Sequence, residues 1–192
     1  ATPAPLPADT TLRLDDVHLS YGGTPVLRGL SFVAEAGQTT ALVGPSGAGK
    51  STVFSLLTRL IDPDQGRITL GGTDLRDLDL ADLRGQFSSV AQEAVLFDES
   101  IRENVLLGAR LRGETPDIPK AEALLRRLGL HAWMDSYPAA LSGGMRQRAA
   151  LARTRMEDRP LVLMDEPLSA LDAITRASMQ DLACEMLRDR MV

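Results

Sequence analysis

The chain has 192 residues, 44% of them hydrophobic and 24% charged, with a formal net charge of −5 at pH 7. That length buries a sizeable core and favours one domain with room for a subdomain, and the composition is that of a soluble globular protein. The acidic balance, with no basic run, argues against a nucleic-acid surface; no apolar run reaches membrane-spanning length, and nothing resembles a signal peptide. The lone Cys184 cannot form an intrachain disulfide, which points to a reducing cytosolic setting. Residues 1–10 are Pro-rich, lack an initiator Met and read as the tail of a linker. The chain stops at Val192 just as a new apolar run, Met191-Val192, begins, so an excised fragment is expected.

Leu12 and Leu14, then Val17, Leu19 and Tyr21, alternate with polar residues on either side of Asp15-Asp16, the pattern of antiparallel strands with one buried face. Gly22-Gly23 makes the turn. A second alternating run, Leu30, Phe32 and Ala34, follows, and Ala36-Gly37-Gln38 turns the chain into a short apolar strand, Thr39 to Val43. The next stretch, Gly44-Pro45-Ser46-Gly47-Ala48-Gly49-Lys50-Ser51-Thr52, organises the whole sequence. Its glycines tolerate positive backbone dihedrals, so successive N–H groups can point inward and cradle a polyphosphate. A helix opening near Gly49, with Val53, Leu56, Leu57 and Leu60 on one face, aims its positive end at the same charge. In such a P-loop Lys50 bridges the β- and γ-phosphates, the Ser51 hydroxyl coordinates Mg²⁺ and Thr52 reaches an α-phosphate.

Beyond it, Asp62-Pro63-Asp64-Gln65-Gly66 is a turn, Arg67 to Leu70 a strand, Gly71-Gly72 a second turn, and Phe87 to Val90 a short strand that ends at Gln92. From Ser100 to Leu130 the character is helical. Asp117 and Pro119 suit a helix start, Ala121, Leu124, Leu125 and Leu128 form its buried stripe, and Gly129 suits its end. Met179, Leu182, Ala183, Met186 and Leu187 recur at helical spacing behind Asp172 as N-cap, and these methionines read as core.

Leu161-Val162-Leu163-Met164-Asp165-Glu166 is a buried parallel-strand pattern ending in two carboxylates. Beside a P-loop, the first can hold Mg²⁺ through water and the second can accept a proton from an attacking water. In Leu141-Ser142-Gly143-Gly144-Met145-Arg146-Gln147-Arg148 a Ser N-cap and two glycines open a helix whose bare N–H groups form a second anion site. The P-loop already supplies one, so the second is most economically explained as serving a nucleotide held by another copy.

These motifs, in this order, resemble the nucleotide-binding domains of ATP-binding cassette (ABC) proteins, whose signature is read as LSGGQ; Met145 takes the last place here, a variant also seen in importers. The resemblance covers Leu12 to Val192. It implies an α/β fold within residues 11–192: a P-loop NTPase (RecA-like) core, an N-terminal antiparallel β subdomain and a helical signature subdomain at about residues 93–150. ATP and Mg²⁺ are the implied cofactors, and ATP hydrolysis powering transport the implied activity. Tyr21 is similar to the aromatic that stacks on adenine, the alternative being a strand-end aromatic of the core. Gln92 looks like the Q-loop glutamine, which touches Mg²⁺ or the lytic water and feels the transmembrane partner. Asp165 then holds the Mg²⁺ shell with Ser51 and Gln92, and Glu166 polarises the water, with Lys50 and Gln92 completing the catalytic set. Each ATP is implied to lie between Gly44 to Thr52 of one copy and Ser142, Gly143, Gly144 and Gln147 of the other. Ser169-Ala170-Leu171-Asp172 resembles the D-loop, which crosses the dimer interface, or serves through Asp172 mainly as a helix cap.

The family places a switch histidine after this acidic strand, and both histidines here, His18 and His131, precede it. The family strand that carries that histidine lies between the P-loop strand and the acidic strand, so its loss opens the centre of the sheet, at a cost comparable to a domain's whole stability. A C-terminally truncated chain, weakly folded or inactive alone, is therefore expected. Ser89 to Phe97 and Ser100 to Asn104 resemble exporters whose ATPase is fused behind a membrane domain. Tyr137-Pro138 leading into the signature, and Pro167 to Ala173, are similar to importer subunits, and the acidic glycine-containing loop that exporters place before the signature is missing. A natural intermediate, a recombined protein and an engineered chimera all fit, the Met-less start leaning towards a fused exporter.

The implied partners are a transmembrane domain, fused or separate, and a second nucleotide-binding domain in a head-to-tail dimer at the cytoplasmic face of the membrane, with no nucleic acid. Two other classes compete. A DNA-repair or chromosome ATPase needs a long coiled coil between Gln92 and Leu141, where only a compact helical insert fits. A nucleotide-binding module without turnover is opposed by Glu166 and left open by the missing histidine.

Overall fold

Leu14 and Val17 are three residues apart, an odd step that a regular strand sends to opposite faces. In the computed structural model, which describes residues 2–92 and 94–165, a bulge solves this within one strand, β1 (Leu12–Tyr21). Asp16 takes a φ of 48° and the pairing shifts register between Leu14 and Val17, so Leu12, Leu14, Val17 and Leu19 are all buried. The two alternating runs expected as strands are therefore one strand with a bend. Its neighbours are β2 (Thr24–Ala34) and β3 (Gln65–Leu70), and β4 (Thr73–Asp74) completes an antiparallel sheet in the order β2, β1, β3, β4. Gly22-Gly23 and Gly71-Gly72 join consecutive strands as two-residue turns with positive φ throughout, the hand that matches strand twist. Residues 2–11 run beside this sheet, with Ala4 N donating to Asp77 O at 2.7 Å and Gly71 N donating to Thr11 O at 2.9 Å.

Helix α1 (Lys50–Leu57) buries Val53, Leu56 and Leu57 and then stops. Arg59 enters the left-handed region at φ 49°, and the amides of Arg59 and Leu60 donate to Leu56 O and Ser55 O at 3.0 and 2.9 Å, closing the last carbonyls. Leu60, expected on the buried face, lies past this cap and is 67% exposed. From α2 (Leu80–Arg84), the Arg84 guanidinium donates to Thr58 O and Arg59 O at 3.0 Å each, so a cation seals the negative end of α1.

Thr39 to Val43 does not form the expected strand. Extended backbone is stable only when its amides and carbonyls find a ladder, and no strand among the described residues pairs with this segment; Val43 is 95% exposed.

The chain divides into two compact units, one ending at Phe87 and the other beginning at Ser88. The elements above belong to the first. In the second, β5 (Phe87–Val90) pairs with β6 (Leu161–Met164), and three helices follow the Ser100 to Leu130 and signature patterns: α3 (Ile101–Leu111), α4 (Ile118–Arg127) and α5 (Gly143–Glu157). Ser100 and Glu103 cap α3 reciprocally, each side chain accepting from the other's amide at 3.2 and 2.9 Å. Asp117 caps α4 through Lys120 N, its stripe Ala121, Leu124, Leu125 and Leu128 is buried, and Gly129 ends it at φ 68°, all as its sequence requires. Ile101 and Val105 of α3, Leu125 of α4 and Ala149 and Ala152 of α5 meet in one core.

Strand β6 is less covered than its apolar run implies: Leu163 is buried, whereas Leu161, Val162 and Met164 are only half-buried. Only β5 pairs with it among the described residues, and a parallel-type apolar run is fully buried only when both neighbours and both faces are covered. The D-loop-like Ser169 to Asp172 and the helix expected around Met179 to Leu187 lie outside the described residues.

Candidate functional site

The phosphate-loop segment leaves Val43 and turns back on itself through a bond from Ala48 N to Pro45 O at 3.2 Å. Gly47 and Gly49 hold φ of 80° and 88°, values that a side chain would strain. Gly49 has a second reason to be glycine. A Cβ there would stand 2.9 Å from Leu27 Cδ2 and 3.2 Å from Val26 Cγ1, so the loop's exit is pressed onto β2. At Gly47 the corresponding space is open, and the backbone is bare on that side. Lys50, the first residue of α1, folds its chain back so that Nζ donates to Gly44 O at 2.9 Å and Pro45 O at 3.1 Å. Its ammonium is thereby fixed beside the loop. The first turn of α1 itself carries no acidic residue, and a helix start of this kind favours an anion. Tyr21 ends β1 and is 50% exposed as a residue, so it is not packed in the core. It pairs with Thr24 across the turn, two residues before the Val26 that touches Gly49.

In the second unit, Asp165 N donates to Val90 O at 2.9 Å, so β5 and β6 end side by side. That brings Gln92 and Asp165 to the same end of the two-stranded sheet, with Gln92 exposed and Asp165 half-buried. Glu166 lies outside the described residues. At the start of α5, Ser142 Oγ accepts from Met145 N at 3.3 Å as N-cap, and Ser142 and Gly143 are exposed, so this helix also opens its amides outward. Arg146 turns back to donate from Nη1 to Leu141 O at 2.6 Å, holding the turn that precedes the cap.

A family model described as ABC transporter matches residues 27–169, which include the P-loop, Gln92, the signature and Asp165. The chain belongs to the ABC transporter family. It is 38% identical to the ATP-dependent lipid A-core flippase of Alcanivorax borkumensis, over 95% of this chain and 33% of that protein. It is 40% identical to the β-(1→2)glucan export ATP-binding/permease protein of Bradyrhizobium diazoefficiens, over 93% and 31%. The mycobactin import ATP-binding/permease protein of Mycolicibacterium smegmatis is likewise 40% identical, over 99% and 34%. The chain spans about a third of the length of these curated relatives. Among solved structures, a bacterial Atm1-family ABC exporter with ATP bound matches with a TM-score of 0.81 at 33% identity, covering 95% of this chain and 34% of that one. The fold is thus the mixed α/β, P-loop NTPase fold of the ABC family, with its antiparallel N-terminal sheet. No helix among the described residues is long and apolar enough to cross a membrane.

One ABC signature residue is not where the motif implies. Gln147, expected to touch nucleotide with Ser142, Gly143 and Gly144, is only 4% exposed, and its Nε2 donates to Ala91 O at 3.3 Å. The helix explains this: Gln147 is in phase with the buried Leu151 and Thr154, so α5 turns it inward while Ser142 stays at the open end. The same phase was readable in the sequence. Asn104, which ends the exporter-like Ser100 to Asn104 segment but has no role of its own in that resemblance, is fully buried in α3, its Oδ1 accepting from Phe97 N at 2.7 Å and its Nδ2 donating to the carbonyls of Phe97, Glu99 and Ser100 at 3.0 to 3.1 Å. It fixes the loop that leads from Gln92 into α3, and a Phe-Asp-Glu-Ser turn with an Asn four residues into a helix is the signal that would have found it.

Proposed function

We propose that this ABC domain binds ATP with Mg²⁺ and hydrolyses it, and that two such domains closing head to tail drive a permease, fused or separate, at the cytoplasmic face of a membrane. The Gly44–Thr52 loop carries the reading: two left-handed glycines, an ammonium held at the loop's own carbonyls and a helix start with no acidic residue in its first turn together suit a polyanion. The exposed helix start at Ser142 supports a second anion contact, and one loop does not need two.

A triphosphate bound with Mg²⁺ supplies an electrophilic γ-phosphorus whose transfer needs mainly positioning and charge stabilisation. The residues at hand fit that need. Amides of the P-loop donate to phosphate oxygens and Lys50 neutralises their charge. The Ser51 hydroxyl, the Gln92 amide oxygen and the Asp165 carboxylate are hard oxygen donors, the class that Mg²⁺ takes. Glu166 holds the proton leaving the lytic water. The exposed face of Tyr21 stacks on adenine, and Ser142 with Gly143 and Gly144 donate to phosphates held by the other copy. Relatives of near-equal identity are named for three different cargoes, lipid A-core, a β-(1→2)glucan and mycobactin, which supports a cargo choice made outside the stretch they share with this chain.

The test compares ATP binding with phosphate release, in the protein that carries this sequence and in its Glu166→Gln variant. Mg²⁺-dependent turnover is expected, with a loss of about 100-fold or more in the variant, which still binds ATP and traps a dimer. Binding without phosphate release in the unsubstituted protein would make it a nucleotide module and overturn hydrolysis; absence of binding would overturn the whole reading.

A further inference from the structure

The backbone on both sides of Gln92 hangs from one helix. Gln147 Nε2 donates to Ala91 O at 3.3 Å, Thr154 Oγ1 donates to Ser89 O at 3.1 Å, and Arg153 Nη2 donates to Val95 O at 3.0 Å. All three side chains come from α5, and their acceptors bracket Gln92 at positions 89, 91 and 95. Gln147 and Thr154 are buried, and polar groups in a core persist only where their bonds are made, so these contacts fix geometry rather than add apolar packing. Gln147 lies five residues from Ser142, within the opening turns of the helix whose cap is the signature serine. Any shift of that helix start is thereby passed to the carbonyl immediately before Gln92.

We propose that Gln147 is a positioning residue that locks Gln92 to the signature helix, with Thr154 and Arg153 completing a three-point clamp, so that the Gln92 backbone and Ser142 move as one body. This rests on the proposed roles of Gln92 and Ser142, but the clamp is separately measurable. Leucine at 147 fills similar space and cannot donate. In the protein that carries this sequence, Gln147→Leu is expected to lower kcat about tenfold while ATP affinity changes by less than about twofold, because the P-loop is untouched. In a Gln92→Ala background the same substitution is expected to slow turnover no further, since a residue acting through Gln92 has nothing left to act on. Equal loss in both backgrounds, or unchanged kcat in the folded variant, overturns the proposal. Amide hydrogen exchange gives a readout that does not require turnover: Gln147→Leu, and independently Thr154→Val, must raise exchange in the backbone flanking Gln92 while leaving α4 protected. Unchanged exchange there in both variants overturns the clamp even in a protein that hydrolyses no ATP; absent turnover with raised exchange leaves the clamp standing and removes only the catalytic reading.

Discussion

Lys50→Ala is expected to reduce ATP turnover by about 100- to 1,000-fold, the scale on which losing one preorganised charge contact to a developing phosphoryl transition state falls. The ammonium is not a loose surface charge: two bonds, to Gly44 O and Pro45 O, hold it against the loop before any ligand arrives, so its placement costs little when a triphosphate binds. Lysine carries that charge at the first position of α1, where alanine is an even better helix former, so the variant should unfold within a few degrees of the parent. Phosphate release and calorimetric ATP binding, measured beside a thermal scan, separate the loss of charge from loss of fold. A variant that keeps parental turnover would remove Lys50 from the chemistry.

Gly66→Ala is expected to have the largest effect on stability. Gly66 sits opposite the β1 bulge at φ +85°, and a Cβ would collide with the backbone carbonyl oxygens of Asp15, at 2.6 Å, and of Asp16. Backbone in the middle of a sheet cannot swing away as a side-chain end can. The left-handed penalty of about 1 kcal/mol and the overpacking of about 1 to 3 kcal/mol add, giving a loss of about 3 kcal/mol and a fall in unfolding midpoint of about 6 to 12 °C. Gly72→Ala provides the comparison: its φ of +83° is nearly the same, but the space beside it is open, so only the conformational penalty applies. Thermal unfolding of the two variants should therefore differ by at least a few degrees, and equal midpoints would mean that the bulge yields.

How much of this was legible from the residues depends on whether the determining interaction is local. The caps of α4, the helix start at Ser142 and the P-loop glycines are set within a few residues of themselves, and each stands as its spelling requires. The three-residue step from Leu14 to Val17 even encodes the bulge, although alternation alone reads it as a break. Thr39 to Val43 shows the opposite case: its apolar run is strand-like, but strand formation depends on a distant partner that composition cannot supply. Leu60 continues the spacing of Val53, Leu56 and Leu57 on paper, whereas the left-handed Arg59 ends the helix before it. At the site, motif adjacency drew Gln147 towards nucleotide while helical phase drew it into the core, and phase decided, because α5 must bury one face against α3 and α4. The role of Asn104 was not legible for a similar reason, since its four bonds are to backbone whose path is fixed only by the fold.

Cross-linking between singly substituted chains tests most directly whether two copies complete one nucleotide site. With Cys184 replaced by serine, one preparation carries Ser46→Cys in the P-loop and the other Ser142→Cys at the signature, both with Glu166→Gln to hold ATP. Mixing them with ATP and Mg²⁺ under mild oxidation is predicted to give a disulfide between the two kinds of chain, with neither preparation linking to itself. Failure of the mixed disulfide to form while ATP is demonstrably bound, or a bond that forms only when both substitutions sit in one chain, would contradict the account.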